Sequence, residues 1–177
     1  MKRAMTGKLP LLAAIKQLMD EVMQPPSCND GAESGEVLAR ETQVLAAVKK
    51  VALFAAGVAS QRFLTALDEQ QEVMADLADI ISQMYALESA LLRARKLAAA
   101  GRSTADVAAA ITGLLADEAM GLAEHAARRV LAACGEGDAL RTQLAILRRL
   151  TRLMPADATV LSRTVAARCV AAEKYPL

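Results

Sequence analysis

Hydrophobic residues recur every three or four positions along most of the chain, which is the spacing of the buried face of an α-helix. The first such segment, residues 9–23, is followed by Pro25 and Pro26, which end a helix because proline lacks the backbone N–H. Residues 27–35 are small and polar, a composition typical of loops. Residues 1–35 therefore predict an N-terminal amphipathic helix followed by a flexible loop. The apolar face of this helix consists of Leu11, Ile15, Leu18 and Val22.

Residues 36–177 predict a helical bundle, which opens with a long helix over residues 36–67. Asp68 follows as a predicted N-cap, since its carboxylate can accept hydrogen bonds from the free N–H groups of the next helix. That second helix carries the most regular apolar stripe of the chain, and Gly101 is placed to close it. The positions of the stripe are spaced alternately four and three residues apart: Val73, Leu77, Ile80, Met84, Leu87 and Leu91.

The second half of the chain predicts one more long helix and two shorter ones. Ser103 and Asp106 have the spacing of a capping box, in which two side chains satisfy N–H groups at a helix start. Residues 135–137 mark the turn that follows this helix, Pro155 is expected to stop the next helix, and Asp157 to cap the last. The inward face of the third long helix is expected to contain Val107, Ile111, Leu115, Ala119, Leu122 and Val130.

No segment alternates apolar and polar residues over a sustained run, so no sheet is expected. Three long helices joined by short turns should lie antiparallel, and one or two shorter helices should complete the fold. The sequence therefore predicts an all-α fold, an up-and-down antiparallel helical bundle of about 4–6 helices. Its two parts are the N-terminal helix and loop (residues 1–35) and the bundle (residues 36–177).

Composition limits the kind of core and the kind of partner. Hydrophobic residues make up 54% of the chain but aromatic residues only 2%, so the core must be aliphatic. Twenty-one basic against twenty acidic residues give a net charge of +1, which provides no positive field for nucleic acid, and we expect no such partner. Three cysteines without a close pair indicate free thiols in a reducing compartment, and hence a cytoplasmic location.

Membrane contact is open to two interpretations. The longest uncharged apolar stretch, residues 51–61, has about half the length of a membrane span, so we expect a soluble or at most peripheral protein. Lys2, Arg3 and Lys8 precede the apolar face of the first helix, a pattern found in helices that lie in a membrane interface. The same face is suited to packing against the bundle or a missing neighbour, and this is the interpretation that we favour.

Residues of the types that act in catalysis or bind metals do not form a recognisable group in the sequence. His125 is the only histidine and has no partner at ligand spacing. Asp76 and Asp79 are neighbours on a helix surface and are expected to form an outward charged face. Cys134 and Cys169 lie among apolar residues, without the histidine partner that a nucleophile needs. We therefore predict no catalytic, cofactor-binding or metal-binding residue. A basic patch, solvated or paired with an adjoining domain, is expected from Arg148, Arg149, Arg152, Arg163 and Arg168.

Three stretches near and within the second helix are similar to a known family: residues 68–70, 76–80 and 84–94. They resemble the C-terminal helical domain of acyl-CoA dehydrogenases of the very-long-chain type. Residues 2–11 are similar to the segment that follows the catalytic portion in bacterial members. The resemblance supports the same all-α bundle.

This resemblance implies that FAD and the acyl thioester bind in an upstream catalytic portion, where a glutamate takes the α-proton and a hydride passes to FAD. The E-G-T-N motif of that portion is not found in this sequence, so the resemblance implies no cofactor in this chain. It implies a non-catalytic bundle that packs on the catalytic portion, supports a homo-oligomer and assists peripheral membrane contact. The alternative is a stand-alone helical interaction or regulatory bundle with no enzymatic parent; a third reading is a peripheral membrane adaptor.

Overall fold

The computed structural model describes Gln17 and residues 38–173, and these residues form α-helices, one 3₁₀ helix and no strand. The all-α prediction is thereby confirmed. Apart from Gln17, the predicted helix and loop of residues 1–35 lie outside the described residues. The elements are α1 (Ala39–Phe63), the 3₁₀ helix (Leu64–Glu69), α2 (Gln71–Ala99), α3 (Ala105–Cys134), α4 (Gly137–Leu150) and α5 (Ala158–Ala172).

The three long helices α1, α2 and α3 run up, down and up. Lys49 on α1 meets Glu88 on α2, with 2.6 Å between Nζ and Oε1, and Arg95 near the end of α2 donates a hydrogen bond to Thr42 near the start of α1. These two contacts make α1 and α2 antiparallel. Asp76 near the start of α2 pairs with Arg129 near the end of α3, so α2 and α3 are antiparallel as well. The short connections between consecutive helices permit this order.

The core is aliphatic, as composition predicted, and α3 lies at its centre. Helix α3 contacts α1, α2, α4 and α5. Because it is surrounded, much of its buried surface is alanine, whose small side chain lets neighbouring helices approach closely. Phe54 is the one aromatic side chain in the buried core of the described residues. The fully buried alanines of α3 are Ala116, Ala119, Ala123 and Ala127.

The predicted inward faces are confirmed on α2 and partly wrong on α3. On α2 the predicted stripe is buried except for Met84, which is half-buried. On α3, Ile111 and Leu115 are only half-buried and Leu122 is 46% exposed. The spacing of large apolar residues pointed to the wrong side here, because the face toward the core is the one rich in alanine.

The ends of the helices confirm some predicted caps and correct others. Gly101, at φ +59°, closes α2: its N–H and that of Arg102 donate to the carbonyls of Ala98 and Leu97. Asp157 caps α5, since its Oδ1 accepts from the N–H groups of Thr159 and Val160. These two predictions are confirmed.

Three predicted boundaries are wrong. Asp68 does not cap α2, because α1 ends early and the chain passes through the 3₁₀ helix, so that Gln70 takes the cap position without a side-chain bond. The capping box of Ser103 and Asp106 is not formed either; Thr104 takes the cap position of α3 and makes no side-chain bond. Helix α4 ends at Leu150, before Pro155 is reached.

By length and composition, α1 with the 3₁₀ helix is apolar enough to cross a membrane, with a mean hydropathy of 1.4 over its most apolar window. Half of that window is buried inside the bundle. A helix that packs against α2 and α3 needs the same composition, so the hydropathy of α1 follows from its place in the core.

Candidate functional site

The described residues contain no group of three histidine, cysteine or acidic side chains that could hold a metal ion. His125 is exposed on α3. Asp76 and Asp79 do not form the expected outward charged face: Asp79 is exposed, but Asp76 is buried and its carboxylate pairs with Arg129 at 3.2 Å. Asp76 is thus used to join α2 to α3.

Both cysteines within the described residues are free thiols. Burial raises the pKa of the Cys134 thiol, and the positive charge of Arg62 offsets part of that rise. The thiol of Cys134 is therefore protonated at neutral pH, and it is the thiolate that acts as a nucleophile or metal ligand. Cys169 is half-buried on α5. Packing is the role that these surroundings support for Cys134.

A connected polar group lies where α1, α3 and the α4–α5 linker (residues 151–157) meet. We call it the Arg40 cluster; it consists of Arg40, Glu41 and Asp117. The guanidinium of Arg40 bonds the Asp117 carboxylate, donates to Glu41 Oε1 at 3.2 Å and donates from Nε to the carbonyl of Met154 at 3.0 Å. The other oxygen of Asp117 accepts from the N–H of Ala156 at 3.1 Å. The Arg40 cluster thus fixes the linker to the long helices.

A close approach of helices lies directly beside the Arg40 cluster. A Cβ at Gly113 on α3 would stand 3.0 Å from Leu161 Cδ1 of α5 and 3.4 Å from Glu41 Oε1 of α1. Glycine at this position therefore allows α1 and α5 to reach α3 together. Sequence analysis did not single out Arg40, Asp117 or Gly113, because the residues that meet here are far apart in the chain.

Four large apolar side chains are exposed along one flank of α2. Their positions are spaced seven, four and seven residues apart, so they share a side of the helix. The flank also carries the small residues Ala78 and Ser89 at matching positions. Sequence analysis missed it, although its spacing is as regular as that of the buried stripe beside it. We call it the α2 stripe, and it consists of Met74, Ile81, Tyr85 and Leu92, which are 40%, 53%, 72% and 61% exposed.

The outward face of α4 is basic. Arg141, Arg148 and Arg149 are exposed, as is Arg152 just after the helix, and Arg141 pairs with Asp138 at 2.9 Å. Of the other two arginines of the predicted patch, Arg163 is exposed on α5 and Arg168 is half-buried.

A cleft of about 320 Å³ lies between α1 and α4. Its lining is apolar except for amide and hydroxyl groups, and Gln143 Oε1 beside it is buried without a hydrogen-bond partner. The lining consists of Phe54, Gly57, Val58, Gln61, Ala139, Thr142, Gln143 and Ile146. The predicted membrane or partner face lies outside the described residues: Leu11, Ile15, Leu18 and Val22.

Comparison with known proteins identifies the family to which this helical bundle belongs. The family model described as "Acyl-CoA dehydrogenase, C-terminal domain" matches residues 47–149, which is more than half of the chain. The chain belongs to this family. Its match spans α2 and α3 entirely, together with most of α1 and α4.

Two relatives are similar to this acyl-CoA dehydrogenase C-terminal domain over nearly its whole length. A probable acyl-CoA dehydrogenase of Bacillus subtilis (strain 168) is 40% identical over 176 residues, which are 99% of this chain and 29% of that protein. The crystal structure of an acyl-CoA dehydrogenase complexed with FAD from Bacillus anthracis matches with a TM-score of 0.88 at 35% identity, over 99% of this chain and 30% of that one. The chain thus spans less than one third of each relative, which does not favour a stand-alone bundle.

The α1–α4 cleft has no charged side chain suited to FAD. Its two phosphates are bound in proteins by basic side chains or by backbone N–H groups at glycine-rich loops and helix starts. The lining of the α1–α4 cleft is uncharged, and at the start of α4 it contains Ala139, two positions after Gly137. We therefore derive no step of flavin chemistry from this domain.

Proposed function

We propose that this domain is the non-catalytic C-terminal part of an FAD-dependent acyl-CoA dehydrogenase, an oxidoreductase that acts on fatty-acyl thioesters in β-oxidation. The observation that carries the proposal is the match to an FAD-complexed acyl-CoA dehydrogenase over 99% of this chain but only 30% of the relative. FAD and the reacting thioester belong, in this proposal, to the catalytic portion that makes up the remaining length.

Within the parent enzyme the domain would serve as a rigid support that packs on the catalytic portion and helps to form a homo-oligomer. Three long helices of 25, 29 and 30 residues pack around an aliphatic core. The Arg40 cluster adds a polar attachment for the α4–α5 linker. A close-packed interior of this kind has low compressibility and holds its surfaces in a fixed relation.

Peripheral membrane contact through the N-terminal face is a further part of the proposal, and the location proposed is the cytoplasm. The support is the basic start of the chain followed by apolar residues on one helical face. The test is flotation of the chain with liposomes that contain anionic lipid, using Leu11→Ser, Ile15→Ser and Leu18→Ser together. Loss of flotation is expected, and unaltered binding would remove membrane contact from the proposal.

The main proposal is tested by comparing the isolated chain with the intact polypeptide encoded by its gene. The reading frame upstream of Met1 is expected to encode a flavin-binding portion. The intact protein should be purified yellow and should oxidise a fatty-acyl thioester with an artificial electron acceptor, whereas the 177-residue chain should be colourless and inactive. Flavin absorbance or thioester turnover in the isolated chain would overturn the proposal, as would an upstream reading frame that encodes no flavin-binding portion.

A further inference from the structure

We propose that the α2 stripe is the surface on which the flavin-binding portion of the parent enzyme packs. This inference rests on the proposed function and adds to it the face of contact. The four side chains of the stripe span 19 residues of α2, from Met74 to Leu92, and the 18 steps between these ends give a length of roughly 27 Å at the helical rise of 1.5 Å per residue. A continuous row of large apolar side chains on a surface marks an interaction site more often than scattered ones do.

The α2 stripe lies beside the contacts that hold α2 in the bundle, and Glu88, between Tyr85 and Leu92, is where the two meet. The buried face of α2 is filled by residues such as Ile80, Leu87 and Leu91. Toward α1 the helix is held by Glu88 with Lys49, and toward α3 by Asp76 with Arg129. The inner surface of α2 is thus occupied, and the stripe belongs to the part of the helix that faces outward.

The opposite flank of α2 and the outer surface of α3 carry charges, and the two exposed valines of α5, Val160 and Val170, lie ten residues apart and do not form a row, which makes the α2 stripe distinct. The opposite flank of α2 carries Glu72, Asp79 and Arg93, all exposed. The outer surface of α3 carries Arg128 and Glu124, which pair with each other. Desolvating such charges is costly, whereas apolar and tyrosine side chains are enriched in the centres of interfaces.

The exposed area of the α2 stripe fits a covalently joined partner better than a second copy of the chain. The exposed fractions correspond to on the order of 500 Å², below the roughly 800 Å² that each partner contributes to a stable interface between free proteins. A domain joined to its partner in one polypeptide meets it at an effective concentration in the millimolar range, so a smaller apolar area suffices. The matched part makes up only 29% and 30% of the two relatives, so most of each polypeptide lies outside this domain. The flavin-binding portion in that remaining length is the partner that we assign to the α2 stripe.

The experiment measures the accessibility of α2 in the intact enzyme and in the isolated chain. Tyr85→Cys is introduced into both, and the rate of labelling by a maleimide is followed at that site by peptide mass spectrometry. Labelling is expected to be at least tenfold slower in the intact enzyme. Matched controls are Leu122→Cys on α3 and Val170→Cys on α5, which are exposed apolar positions on other helices and should change less than twofold.

The results that would overturn the inference are distinct from a failure of the proposed function. Equal labelling of Tyr85→Cys in both proteins, in an intact enzyme that binds flavin and is active, would leave the function standing and remove this face of contact. Protection that vanishes on dilution together with an oligomer seen by sedimentation would assign the α2 stripe to a second copy. Protection already present in the isolated chain and independent of concentration would assign it to the chain's own N-terminal residues. An intact protein without flavin would defeat the proposed function itself.

Discussion

The three long helices and the α4–α5 pair are held in place by different kinds of contact. Helices α1, α2 and α3 share a continuous aliphatic core. In contrast, α4 buries a single residue, Leu147, and α5 buries none. The α4–α5 pair instead depends on half-buried side chains and on the Arg40 cluster, whose bonds reach the linker at Met154 and Ala156.

This difference indicates which helices contribute most to the free energy of unfolding of the domain. Burial of apolar area is the main source of folding free energy, so the long helices should unfold together as one cooperative unit. The α4–α5 pair has few buried apolar contacts, and regions of that kind open locally at lower free energy. Substitutions in the two regions test this contrast.

Leu87→Ala should destabilise the whole domain. Leu87 is fully buried on α2, and truncating a buried leucine costs about 2–5 kcal/mol through lost burial and the cavity left behind. Urea unfolding followed by circular dichroism measures the loss. The control is Leu92→Ala on the same helix, 61% exposed, which should change stability by less than about 0.5 kcal/mol. Equal losses for both variants would contradict the placement of the core.

Leu147→Ala should loosen α4 while leaving the long helices folded. Leu147 is fully buried, and the expected cost of about 2–4 kcal/mol should fall on the local opening of α4. Native-state hydrogen exchange measures this, with faster exchange expected at the α4 amides and unchanged exchange in α2. If α2 lost the same protection, α4 would belong to the cooperative core and the contrast would be wrong.

Asp117→Ala should release the α4–α5 linker. The substitution removes the acceptors for Arg40 and for the N–H of Ala156, a loss of about 1–2 kcal/mol. Trypsin cleavage after Arg152, which lies exposed in the linker, should become about tenfold faster. The matched control is Asp138→Ala, which breaks the solvent-exposed pair with Arg141 and should leave the cleavage rate unchanged.

Leu64→Gly should stabilise the junction after α1. Leu64 has φ +49° and is 65% exposed, so its backbone is strained while its side chain packs little. Glycine relieves strain of this kind, with an expected net gain of about 1 kcal/mol after its entropic cost. Thermal unfolding measures the gain. Leu64→Ala keeps the Cβ that causes the strain, and a gain of the same size in that variant would refute this explanation.

Cys134 should make stability fall slightly at alkaline pH. Burial raises the pKa of its thiol above the value in the unfolded chain, so the folded state favours the protonated form. The contribution is complete below the pKa of the unfolded chain and is lost as pH rises through the folded pKa. Urea midpoints from neutral to alkaline pH should decline less steeply for Cys134→Ala than for the unaltered chain, and equal slopes would contradict this contribution of Cys134.

The family and the fold could be predicted from sequence because their signals are local. The 4-3-4-3-4 spacing on α2, Gly101 at its end and Asp157 before α5 each depend on residues within one or two turns of one another, and the structure confirms them. Residues 76–80 and 84–94, on which the resemblance rested, lie within the matched family model. The N-terminal face of Leu11, Ile15, Leu18 and Val22 stays a prediction.

The buried face of α3 and the polar contacts between helices could not be predicted, because they depend on residues that are distant in the chain. Leu122 is exposed and Ala123 buried because α3 is surrounded by four helices, and close approach favours the small side chain there. Asp76 is buried because Arg129, 53 positions along the chain, comes to meet it. The Arg40 cluster likewise joins residues 77 and 114 positions apart.

The sequence by itself determined which residues share a helical face, where most helices turn and that the core is aliphatic, because backbone geometry and helix capping act over a few residues. Only the tertiary structure decided which face of each helix is covered. That choice depends on the packing of helices far apart in the chain, and it leaves Met74, Ile81, Tyr85 and Leu92 exposed beside a buried stripe of the same period.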